Sequence, residues 1–155
     1  MTTYATIGTI SEGTLRPDDL IPIFAAELHR LTRYDRPQHI AALLGKAARY
    51  MDSEADGSDE ERELAYNILD ALTDTLQDYA PPCCYFGTHE GDGACFGFWP
   101  DLHIMDDFDG LRCSDLADIP EDYSGLALVV NDHGNASLYE VDATSQRERL
   151  LWAVV

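Results

Sequence analysis

Residues 83–99 run CCYFGTHEGDGACFGFW, two aromatic arms around His89, Glu90, Gly91, Asp92 and Gly93. A short glycine-containing connection between such arms signals a β-hairpin. In the first arm Cys83, Tyr85 and Gly87 alternate with Cys84, Phe86 and Thr88; in the second Cys95, Gly97 and Trp99 alternate with Phe96 and Phe98. Aromatics therefore fall on both faces, which predicts a strand pair central in its sheet and covered on each side.

The rest of the chain must supply that cover. Residues 4–10 alternate as a first strand. Asp18 or Asp19 is placed to cap a helix whose apolar positions Leu20, Ile21, Phe24, Leu28 and Leu31 run to about Arg33, with Pro22 tolerated in its first turn. After Pro37, Ile40, Leu43, Leu44, Ala47 and Met51 mark a second helix that ends near the acidic residues 52–57. Ser58 with Glu61 forms a capping box for a third, whose stripe Leu64, Ile68, Leu72, Leu76 and Tyr79 stops at Pro81 and Pro82. Beyond the hairpin, residues 100–122 predict an acidic connection with a short helical stretch over 102–108. Residues 126–130 and 136–141 predict two strands around the turn at 131–135, and 149–155 a last strand. The expectation is a single α+β domain over 1–155, with three N-terminal helices packed on a mostly antiparallel sheet of about five or six strands.

Composition enters through sign of charge. The chain carries 29 acidic against 10 basic residues, a formal net charge of −19. Residues 1–50 hold six of those bases and only five acids, so they stand near neutrality, and residues 51–155 carry a net −20. A phosphate backbone is bound by basic patches, so direct nucleic-acid binding is not expected and a basic protein partner is. A surface so negative is repelled by anionic lipid, and no apolar run approaches the length of a membrane span, so no membrane role is expected. Four cysteines without a signal-peptide pattern at residues 1–10 point to a reducing cytoplasm.

Three constellations carry candidate chemistry. Cys83, Cys84, His89, Cys95, His103 and Cys113 are zinc-ligand types, but adjacent Cys83 and Cys84 on a strand would point to opposite faces, and the paired spacing of a zinc knuckle is missing. No metal or other cofactor is therefore expected. His89, Glu90 and Asp92 at one tip, and Asp132 with His133 at the later turn, would make an acid–base site if the tips met; the same residues also serve as turn formers. No phosphate loop, nucleophile elbow or His-Glu-x-x-His occurs, so no catalytic residue is assigned and no enzyme is expected.

The third constellation is acidic. Glu63, Asp70, Asp74 and Asp78 share a face of the third helix away from its apolar stripe, and a step of four residues advances about 6 Å, comparable to the phosphate spacing along one nucleic-acid strand. Like charges four apart cost a few tenths of a kcal/mol each, so the row is a mild burden. Asp106, Asp107 and Asp109 in the connection, with Glu90 and Asp92 at the hairpin tip, complete the expected partner-binding set. The plainer alternative is a solvated face kept for solubility.

The stretches YATIGTISEGTLRPDDLIPIFAAEL, YFGTHEGDGACFGFWP and VVNDHGNASLYEV resemble a group of small acidic proteins of bacterial mobile elements and phages. That resemblance implies a bacterial cytoplasm and an anti-defence setting, and it brings no catalytic residues. Together with the charge it predicts an acidic binding protein that inhibits a nucleic-acid-binding partner, of the anti-CRISPR or anti-restriction type, by mimicking nucleic acid. The alternatives are an immunity or accessory protein that neutralises a basic toxin, and a metal-dependent enzyme centred on the hairpin tips. Oligomeric state stays open, with the near-neutral first fifty residues as a seam for a dimer.

Overall fold

The computed structural model describes residues 2–154, with residues 102 and 104 described for their backbone alone. The element order is β1 (Gly8–Ser11), α1 (Pro17–Leu31), α2 (Gln38–Asp52), α3 (Asp59–Gln77), β2 (Cys84–His89), β3 (Asp92–Pro100), α4 (Leu102–Asp106), β4 (Leu111–Cys113), β5 (Gly125–Val130), β6 (Ala136–Asp142) and β7 (Arg147–Val154). The class is α+β. Among the described residues seven strands form two sheets in place of the single sheet of five or six expected: one of three strands in the order β1-β3-β2, the other of four in the order β4-β5-β6-β7. Within the 155 residues lie two compact units, 1–80 with 84–100, and 81–83 with 101–155.

In the first unit, Pro17 opens α1 at a position where its missing N–H is not needed, and Asp18 and Asp19 lie inside the first turn, so neither is the cap. The helix therefore starts early enough to put Pro22 in its second turn, where it forfeits the bond to the Asp18 carbonyl. The hydroxyl of Thr32 donates to the Leu28 carbonyl at 2.8 Å, and α1 ends at Leu31. At the start of α3, Ser58 Oγ accepts from the Glu61 N–H at 3.1 Å as expected. Glu61 does not close the box on Ser58; its Oε2 accepts from the N–H groups of Gly57 at 2.6 Å and Asp56 at 3.0 Å, so the loop before the helix is fastened as well. The buried stripe of α3 is Ala65, Ile68, Leu72 and Leu76; Leu64, expected within it, is 38% exposed because the core meets the helix one residue further on.

These stripes close on one face of the three-stranded sheet. Phe24 of α1 meets Phe86 edge-on at 5.0 Å and Phe96 at 5.4 Å, and Phe86 lies 4.9 Å from Phe98 across the β2–β3 pair. The expected hairpin forms, with Tyr85 opposite Trp99 and Phe86 opposite Phe98, but β3 is the central strand and β2 an edge, where the pair as a whole was expected to be central. The Gln77 side chain covers that edge by accepting the Phe86 N–H at 2.8 Å. Tyr85 and Trp99 occupy the opposite face, where Trp99 donates to the Gly87 carbonyl at 3.0 Å. β1 is shorter than residues 4–10, since the N–H of Ala5 goes to the Tyr79 carbonyl at 2.8 Å and Gly8, at φ +127°, turns the chain into the strand.

The second unit holds the feature least visible beforehand. β4 is only three residues, too short to show alternation, and it pairs parallel to β5 where an acidic loop was expected. Tyr123 fastens this corner: its hydroxyl accepts the Leu111 N–H at 3.2 Å and donates to the Leu126 carbonyl at 2.7 Å. The turn between β5 and β6 is built on Asn131, whose side-chain oxygen accepts the N–H groups of His133 and Asn135, each at 3.0 Å. Leu128, Leu138 and Trp152 share a buried face across β5, β6 and β7, and Trp152 donates to the Pro82 carbonyl at 2.8 Å.

Candidate partner-binding surface

Helical geometry fixes the acidic row. At 100° per residue Glu63, Asp70, Asp74 and Asp78 fall within an arc of about 80°, and at 1.5 Å per residue they extend over about 22 Å. All four are exposed, and none has an ion-pair partner among the described residues. Glu60 lies on the edge of the same arc one turn earlier and Asp59 about 20° beyond its other edge, so the two lengthen the row, a continuation the spacing rule also contains. Asp59 meets Arg62 at 3.2 Å on an open surface, a weak neutralisation. Beside the row, Tyr66 is 56% exposed, an aromatic of the kind that anchors protein interfaces, and sequence pattern alone gives no reason to single it out.

The two ends of α3 differ in electrostatic logic. Asp59, Glu60 and Glu61 in the first turn lie at the positive end of the helix dipole, where carboxylates stabilise. Asp74 and Asp78 lie at the negative end, Asp78 as the C-cap, and the last turn carries no basic residue. Both the dipole and the i, i+4 spacing oppose charge there.

The hairpin tip is built for turning the chain. His89 packs edge-on against Trp99 at 4.7 Å, and its Nδ1 accepts the Gly91 N–H at 3.0 Å, while Asp92 Oδ1 accepts the Ala94 N–H at 3.0 Å. Glu90 is exposed beside them. Asp106, Asp107 and Asp109 belong to the second unit, exposed at and after the end of α4. Asp101 and Asp115, by contrast, spend a carboxylate oxygen on the N–H groups of His103 at 2.8 Å and Ala117 at 2.9 Å. His133 lies in the second unit on the Asn131 turn and His89 in the first on the hairpin.

No family model, curated protein or solved structure matches this chain.

The sulfur chemistry is quiet. All four cysteines are free. Burial pushes the Cys83 thiol up, with Asp101 and Asp109 adding to the shift against Arg112, and burial followed by Asp118 and Asp115 pushes up Cys113. Both stay protonated and are poor nucleophiles. Cys83, at φ +62°, precedes β2, so it and Cys84 are not neighbours on one strand as expected. Among the described residues no three His, Cys, Asp or Glu side chains gather into a group able to hold a metal ion, and no helix is long and apolar enough to cross a membrane.

Proposed function

We propose that the protein works by binding rather than turnover, presenting the carboxylate row of α3 to the basic groove of a nucleic-acid-binding protein and so keeping nucleic acid out. The observation that carries this reading is the placing of Asp74 and Asp78, unpaired carboxylates at the one end of the helix where both dipole and neighbours oppose them. A face kept for solubility has no need of charge at that end; a face that meets lysines and arginines does. Glu63 and Asp70 continue the row, and Tyr66 offers a contact that would be desolvated in a complex. Glu90 and Asp92, and in the second unit Asp106, Asp107 and Asp109, are further acidic contacts in this proposal. The setting suggested by the resembling sequences, a bacterial mobile element with an anti-defence role against CRISPR or restriction complexes, belongs to the same proposal.

The test is capture of partners from a bacterial lysate at low and high salt, with elution by duplex DNA. The proposal expects a nucleic-acid-binding protein that is retained at low salt, released by DNA, and lost when Asp70, Asp74 and Asp78 are changed together to lysine. Retention that survives both DNA and the triple change contradicts it, and a basic protein without nucleic-acid affinity favours the toxin-neutralising reading.

A further inference from the structure

Where α3 ends, the chain opens a cavity of about 600 Å³ within the first unit, bounded by residues 2–4, the segment after α1, the start of α2, and Asp78 with Tyr79. Its walls combine two chemistries. Tyr4, Tyr34 and Tyr79 contribute aromatic surface, and Tyr34 is 87% exposed. Asp35 and Asp78 contribute carboxylates with no ion-pair partner among the described residues. Aromatic faces together with carboxylates select cations, and a planar guanidinium best satisfies both, stacking on a ring while its N–H groups donate to acids.

The cavity also contains positive charge, and its disposition matters. Arg30 is held by Glu27 through two bonds, 2.6 and 2.9 Å, so its charge is already answered. The guanidinium of Arg33 lies over the Tyr34 ring at 4.3 Å from its centre and donates to the Tyr34 hydroxyl, while the residue as a whole stays 87% exposed. Arg33 is thus engaged by Tyr34, and beside it and the imidazole of His39 stand two carboxylates without an ion-pair partner among the described residues. The Tyr79 phenol lies under their influence: burial first, then Asp35 and Asp78, push its pKa up.

We propose that this cavity receives an arginine side chain of the partner protein, seated against Tyr34 and Tyr79 and hydrogen-bonded to Asp35 and Asp78. The proposal rests on the reading of α3 as a face for a basic partner and gives that face a specific anchor: Asp78 belongs to both, so an arginine held in the cavity sets the register of the groove along the row. The row supplies attraction spread over its length, and the cavity supplies one localised contact with a direction, a guanidinium donating to two carboxylates beside aromatic rings.

The experiment is a titration of the full-length, nitrogen-15-labelled protein with the peptide acetyl-Gly-Arg-Gly-amide, followed by amide chemical shifts. The same peptide with citrulline in place of arginine, which keeps the shape and removes the charge, is the control, and inorganic phosphate is the competing class. Saturable shifts at Tyr34, Asp35, Asp78 and Tyr79 are expected with the arginine peptide alone. Affinity should fall at least tenfold in Asp35→Asn with Asp78→Asn and severalfold in Tyr34→Ala, all exposed positions whose change leaves the fold intact. Asp70→Asn with Asp74→Asn should alter it less than twofold. No saturation up to roughly 20 mM peptide, equal shifts with citrulline, shifts centred on Asp70 and Asp74, or phosphate in place of arginine as the bound species would each overturn it. The peptide reports on the cavity alone, so its failure leaves the row untouched, and failure of lysine substitutions along the row leaves the peptide result standing.

Discussion

Phe24 shows most directly how single residues hold the first unit. It is fully buried between Phe86 and Phe96, so Phe24→Ala removes two edge-on ring contacts and leaves a cavity, at an expected cost of about 3–5 kcal/mol in denaturant unfolding. Leu64→Ala, at the flank of the buried stripe of α3 and 38% exposed, should cost less than the core change, about 1 kcal/mol, although its place in the sequence pattern marks it as core. Gly97 is constrained by contact: a Cβ there would come within 2.8 Å of the Gly8 carbonyl carbon, so Gly97→Ala must part β1 from β3, and thermal unfolding should show a clear loss. Tyr50 is different, because its partner acts through titration. It donates to Asp18 at 2.6 Å, and chiefly this bond pushes its pKa up to about 12. A phenol whose pKa rises on folding adds stability that is complete below its ordinary value near 10 and disappears as pH climbs through 12. An ultraviolet absorbance titration should therefore find a late-ionising tyrosine that vanishes in Tyr50→Phe and moves down in Asp18→Asn.

Among the elements, α3 combines the clearest fold signal with the clearest functional one. Its buried and acidic faces follow a 3.6-residue period, which nineteen helical residues are long enough to display, and Ser58 marks its start; the helix ends at Gln77, four residues short of the expected stop at Pro81, which leaves Tyr79 beyond its last turn. Short elements lack that length. β4, with three residues, has no period to read, and its parallel pairing with β5 depends on the Tyr123 corner, which sequence proximity does not announce. The division into two sheets is hidden for the same reason, since alternation within a strand says which residues share a face and nothing about which strand lies alongside. The cavity beside Tyr34 is likewise illegible in one dimension, because it needs residues 2–4, 30–40 and 78–79 brought to one place. If the charge on α3 serves recognition, the helix should be happier without it. Asp74→Asn, or a neutral residue at Asp78, should raise stability by a few tenths of a kcal/mol in low salt, with the gain shrinking as salt rises. A loss of stability in either variant would show that the row has a structural role instead.

On the scale of the whole chain, a formal charge of −19 with a near-neutral first fifty residues makes association with a basic surface fast and salt-dependent. It also opposes self-association through the acidic side. In the proposed function, the same charge that opposes contact between copies would draw the molecule to a groove of lysine and arginine, with the row on α3 giving that attraction its spacing. The central claim is that the protein and nucleic acid compete for one site. Fluorescence anisotropy of a labelled duplex bound to the purified partner tests it directly, with the protein added as competitor at 50 and 300 mM salt. The account predicts full displacement of the duplex, a midpoint that rises at least tenfold when Asp70, Asp74 and Asp78 become lysine, and a further rise with salt. A duplex that stays bound while the protein binds beside it, or a midpoint indifferent to the three charges, would contradict it.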